Sequence, residues 1–154
     1  MITKKQILSE IPEEYRHFFD IRIDTATNDL HPYFSLFTKA VNIFCQYAHI
    51  NKKADIFFNI GNKGKAYSND FNFNYEIMND AIHICYNNCI FFNLELSSEY
   101  PEELQVAMYL EELTHCYMNI SDEKLVKIVV ATMCENVFYD IANDCYTLNH
   151  RCMA

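Results

Sequence analysis

The chain has 154 residues, 51% hydrophobic and 15% aromatic, so it can bury one sizeable core and is too apolar to be mainly disordered. Its formal net charge of −9 repels phosphate backbones, which argues against nucleic acid as a partner and for neutral or basic ones. Only Gly61 and Gly64 are glycines, which excludes a glycine-rich phosphate loop and leaves tight turns to Asn and Asp.

No apolar run reaches the ~20 residues of a membrane-spanning helix. The stretch Met1 to Pro12 lacks the apolar centre of a secretory signal. Seven cysteines (Cys45, Cys85, Cys89, Cys116, Cys134, Cys145 and Cys152) are odd in number, scattered, and mostly set in apolar runs. Reduced thiols in a cytoplasmic protein are expected, rather than a disulfide framework.

In chain order, residues 3–20 read as a short amphipathic helix with Ile7, Leu8, Ile11, Tyr15, Phe18 and Phe19 on one side and Pro12 as a dividing point. Residues 21–31 are polar and read as irregular. From 32 to 50, Phe34, Phe37, Ala40, Val41, Phe44, Cys45 and Ala48 recur at gaps of three and four, the pattern of an amphipathic helix, with Asn51 as its C-terminal cap. The middle third changes period. Residues 54–60 read as a strand, 61–64 as a turn and 66–75 as an exposed or edge strand. The runs 81–86 and 89–96 flank Asn87-Asn88 and predict a hairpin.

Ser97-Ser-Glu-Tyr-Pro-Glu-Glu103 then carries helix-start chemistry: hydroxyl caps, a proline and acids against the positive helix end. A helix over 101–118 follows. After a break at 119–121, Ser121 caps a last helix that begins at Asp122-Glu123. Its apolar residues run from Leu125 to Ile141, so central burial is expected. The tail, 144–154, has no clear pattern, although Cys145, His150 and Cys152 gather there. The whole reads as a single domain: a helix and irregular segment over 1–31, a core over 32–143 and the tail.

The helix at 101–118 contains Glu111-Glu112-Leu113-Thr114-His115. At helical spacing Glu111 and His115 share a face, and Glu112 sits between them. This layout resembles the H-E-x-x-H signature of zinc metallopeptidases, with glutamate in place of the first histidine. With the order helix, strands, motif helix and closing helix, the chain resembles the minimal zincin architecture of small gluzincin-like metallopeptidases over roughly residues 34–143. The resemblance implies an α+β fold, in which an amphipathic helix and a small mixed twisted sheet pack against an active-site helix and a closing helix. An edge strand would run past the active-site helix.

The same resemblance gives roles. His115 matches the second histidine ligand, Glu112 the general base, and Glu111 the position of the first ligand. Zinc takes about three protein ligands and one water. A set rich in carboxylates shifts preference towards Mn, Ca or Mg, and loss of metal altogether is the other outcome. For the third ligand, a short linker after Met118 turns the closing helix back on the motif helix and brings residues 122–126 opposite His115. Glu123 is the acidic candidate, with Asp122 beside it. Glu135 lies about 12 residues further on, roughly 18 Å along an unbroken helix.

These residues also admit plainer roles: Glu111 and Glu112 as a solvated helix face, His115 as a helix-end histidine, Glu123 as an N-terminal helix charge. Two functions follow from the zincin resemblance. One is a domain with impaired metal chemistry that keeps the groove as a peptide or protein contact. The other is an active metal-dependent peptidase with Glu112 as base and a Glu111, His115, Glu123 metal set. A weaker third is a ferritin-like carboxylate-metal protein, suggested by Glu112-Leu-Thr-His115 as an E-x-x-H motif.

Overall fold

The computed structural model describes residues 1–23, 25–61, 63–67, 72–76 and 81–148. Strand β1 (Ile2–Thr3) leads into helix α1 (Lys4–Ser9), opened by a capping box in which Thr3 and Gln6 satisfy each other's backbone N–H. The helix expected over 3–20 divides at Pro12, which has no N–H to donate. Residues Glu13–Phe18 resume as a 3-10 turn, and Phe19 already belongs to β2 (Phe19–Ile21). Within the stretch read as irregular, Thr25–Ala26 form β3, paired with β1.

Helix α2 (His31–Tyr47) buries Phe34, Phe37, Ala40, Val41 and Phe44, the residues whose spacing marked it. It ends at Tyr47, with Ala48 rather than Asn51 as its cap. It also makes the crossover between β2 and β4 (Ala54–Asn59), which pair in parallel as a β-α-β unit requires.

The stretch 66–75 is not one strand. Strands β5 (Lys63–Tyr67) and β6 (Asn72–Glu76) pair antiparallel, Ala66 opposite Phe73; residues 68–71 lie outside the described residues. Strands β7 (His83–Tyr86) and β8 (Cys89–Asn93) form the hairpin that Asn87-Asn88 announced. Both asparagines adopt positive φ, 47° and 62°, as a tight two-residue turn demands. Asn119 and Asp144 are the other described non-glycine residues at positive φ, so side-chain amides and a carboxylate stand in for the missing glycines.

The main sheet runs β2-β4-β8-β7, parallel except for β7 at the edge. β8 stops at Asn93 rather than Leu96, because the Asn93 carboxamide caps the one-turn helix α3 (Leu94–Ser97). This mixed sheet is incompatible with a ferritin-like bundle.

Helix α4 (Glu102–Tyr117) is the buried centre: Val106, Ala107, Tyr109, Leu110, Leu113, Cys116 and Tyr117 all enter the core. Phe37 of α2 meets the rings of Phe58, Phe92 and Tyr109 at centroid distances of 5.0, 5.6 and 5.9 Å, joining α2, the sheet and α4. Ile2, Ile7 and Ile11 belong to the same core cluster as Val137, so both ends of the chain pack on one interior.

The closing helix differs most from expectation. α5 spans only Glu123–Met133 and buries Val126, Val130 and Met133, while Leu125 and Ile128 face outward. Asp122, not Ser121, is its cap, accepting the Leu125 N–H at 2.9 Å. Cys134 turns extended, and the chain enters a hairpin of β9 (Val137–Asp140) and β10 (Cys145–Leu148). Val126, Val130, Met133 and Val137 keep helical spacing across the break, so the periodicity imitates a longer helix. The β-branched and aromatic run Val137-Phe-Tyr takes the strand instead.

No helix among the described residues is long and apolar enough to cross a membrane. Cys45, Cys85, Cys89, Cys116, Cys134 and Cys145 are free thiols, with Cys89, Cys116 and Cys134 buried. Cys152 and His150 lie outside the described residues.

Candidate functional site

Two adjoining clefts of about 550 and 620 Å³ run beside α4 and share Ala81, His83, Glu112 and Glu123 in their walls. The edge strand β7 supplies His83, Ile84 and Cys85 to the first. The second continues to Glu111, Lys127, Asp144 and Tyr146, so the β9–β10 hairpin forms its far wall. Cys85 of β7 and Cys116 of α4 lie thiol against thiol, pinning the edge strand to the motif helix; the contact raises the Cys85 pKa and lowers that of Cys116.

The motif residues divide between these spaces. Glu112 is 7% exposed, lines both clefts, and has no hydrogen-bond partner among the described residues. Burial, reinforced by the neighbouring carboxylates Glu111 and Glu123 and by the Cys116 thiol, pushes its pKa up to about 8. At neutral pH it is therefore mainly a carboxylic acid. Glu111 is also raised by burial, opposed by the Tyr146 hydroxyl, Lys127 and His115. The buried Tyr146 hydroxyl makes no well-aligned hydrogen bond, but the Glu111 carboxylate is its closest electrostatic partner.

His115 is held at both ring nitrogens. Its Nδ1 is 2.6 Å from the Ile120 carbonyl oxygen, an acceptor, so Nδ1 carries a proton and donates. Its Nε2 lies 3.2 Å from Glu123 Oε2, the first turn of α5 meeting the last turn of α4. The Glu123 side chain is otherwise open to solvent, 68% exposed.

His83 was not singled out by the sequence. It stacks on Tyr109 at 5.3 Å, and its Nδ1 accepts the Asn93 N–H at 3.0 Å, which puts the proton of the neutral ring on Nε2. Burial, partly offset by a backbone contact at Ile82, lowers its pKa to about 3, so the ring stays neutral. Nε2 is buried without a partner among the described residues.

Of the residues expected at the site, the structure brings Glu111, Glu112, His115 and Glu123 to one side of α4. Asp122 is spent as the α5 cap. Glu135 lies past the break in α5 and lines a different hollow, with Lys39, Glu103 and Asn136. Lys127, Asp144, Tyr146, His83 and Cys85 were missed. Tyr146 had the only readable signal, the strand-forming run Cys145-Tyr-Thr-Leu148 after an Asn-Asp turn.

The zincin resemblance implies a divalent metal, which needs about three donors directed at one point. Glu111 instead adjoins Tyr146 and Lys127, and His115 is committed to Ile120 and Glu123. Among the described residues, no three His, Cys, Asp or Glu side chains are grouped to hold a metal. The Glu111, His115, Glu123 set does not fit one in this arrangement, and the oxygen-rich shell of Mn, Ca or Mg fits it less. No protein-family model matches the chain, and no curated protein or solved structure matches it.

Proposed function

We propose that this chain is a zincin-like domain with impaired metal chemistry, whose cleft along the motif helix serves as a contact for a peptide or protein. One observation carries this: an edge strand, β7, pairs on one side only among the described residues and walls a cleft floored by α4, where the ionisable groups engage one another rather than converge on a point. An extended peptide can add to an open strand edge through main-chain hydrogen bonds while its side chains enter the adjoining clefts. Burial and the neighbouring carboxylates push Glu112, the acid that the zincin resemblance makes a general base, towards its neutral form in this arrangement.

A second reading, an active metal-dependent peptidase, is favoured by His115. Donation from Nδ1 to a backbone carbonyl is how metal-binding imidazoles are commonly oriented, and it leaves Nε2 directed at the Glu123 carboxylate.

Metal content of protein purified without chelators, and peptide hydrolysis with and without added zinc, separate the two. We expect substoichiometric metal, no zinc-dependent cleavage, and micromolar binding of extended peptides. Stoichiometric metal with cleavage abolished by Glu112→Gln establishes the second reading. Glu111→His tests the scaffold: a gain of tight zinc binding supports the zincin-like arrangement, and no gain counts against it.

A further inference from the structure

We propose that the cleft selects a cationic side chain, the guanidinium or ammonium of an extended peptide, and seats its charge on Glu112. This rests on the peptide-contact reading above and names what that contact would choose.

Glu112 is more than nine-tenths buried, lines both clefts, and lacks a hydrogen-bond partner among the described residues. Its carboxyl oxygens therefore take their partners from whatever occupies the clefts. Glu111, Glu123 and Asp144 also line the second cleft, and the lysine present, Lys127, is already bonded to Asp144 at 2.9 Å. His115 is held by Ile120 and Glu123. The cleft therefore carries more acid than its own cations neutralise.

An anionic ligand would add to this repulsion, and an apolar side chain would leave Glu112 unpaired. A guanidinium supplies counter-charge and a planar pair of donors that match a carboxylate; an ammonium supplies the charge. The net charge of −9 steers basic peptides towards the chain in the same sense. A cation seated there favours the carboxylate over the acid. The ionisable groups around it are Glu111, His115 and Cys116 on α4, Glu123 on α5, and Cys85 and His83 on β7.

The test is fluorescence anisotropy with N-acetylated, C-amidated pentapeptides bearing central Arg, Lys, citrulline or norleucine, using the full chain at pH 7. Blocking the ends leaves the side chain as the sole cation. We expect the Arg and Lys peptides to bind at least about tenfold more tightly than the neutral pair. Glu112→Gln should reduce the Arg peptide to the level of citrulline.

Equal affinity for all four peptides overturns the cationic selectivity and leaves the peptide-contact reading standing. Absence of binding by any peptide overturns both. An Arg preference that survives Glu112→Gln overturns the assignment to Glu112. Binding only when the peptide amino terminus is left free overturns the side-chain assignment in favour of a terminal amine.

Discussion

Replacing Glu112 with Gln removes a titrating group while keeping its shape, and the structure fixes the sign of the effect. The carboxyl is raised from 4.5 to about 8 in the folded chain. Below pH 4.5 both folded and unfolded chains hold the proton and the group costs nothing by ionisation. Above it the unfolded chain ionises first, so stability falls as pH rises, by about 1.4 kcal/mol per unit, until the folded group also ionises near pH 8. At pH 7 the accumulated loss is about 3 kcal/mol. Glu112→Gln escapes it, although its amide carries a pH-independent desolvation cost of about 1–3 kcal/mol. Urea unfolding of both proteins from pH 4.5 to 8 reads the difference, in which the titrations not coupled to Glu112 cancel. The expected difference grows in favour of the variant with rising pH, by about 3 kcal/mol between pH 4.5 and 7. A difference that does not change with pH, or that moves the opposite way, refutes the claim that burial holds Glu112 neutral.

Phe37→Ala should cost about 3–5 kcal/mol in urea unfolding, because the ring is fully buried and joins α2, the sheet and α4; a loss under about 1 kcal/mol would show that these layers pack independently. Tyr117→Phe removes a 2.7 Å hydrogen bond to the Phe18 carbonyl and should lower stability by about 1–3 kcal/mol, measured the same way. At Asn87, with φ of 47°, substitution by Val should cost about 1–2 kcal/mol and by Gly well under about 1 kcal/mol. Equal melting temperatures for those two variants would rule out the left-handed turn.

The local chemistry of the chain wrote much of this fold openly. The gaps through Phe34, Phe37, Val41 and Phe44 identify α2, Asn87-Asn88 identifies the β7–β8 hairpin, and Pro101 with Glu102 and Glu103 opens α4. What stayed hidden depends on distant partners. The break after Met133 is concealed by Val137, which satisfies helical spacing by coincidence and is buried as a strand residue instead. The strand character of Phe19 appears only once β4 lies beside it. At the site, the spacing of Glu111, Glu112 and His115 was legible and so was Glu123 opposite His115. That Glu111 adjoins Tyr146 and Lys127 was not, since it follows from a hairpin that folds back from the far end of the chain. His83 gave no signal, because a histidine in an apolar strand reads as ordinary core until its unpaired Nε2 is located.

That returning hairpin makes one flank of the cleft separable from the rest. Among the described residues, its β9 and β10 pair only with each other, in a two-stranded ribbon apart from the main sheet. Limited proteolysis at the Asn143-Asp144 bend would leave the parallel strands and α4 uncut, and would free the segment that sets Tyr146 beside Glu111 and Asp144 on Lys127. A nick at this exposed corner would then loosen one wall of the cleft while leaving the chain of the main sheet and α4 uncut.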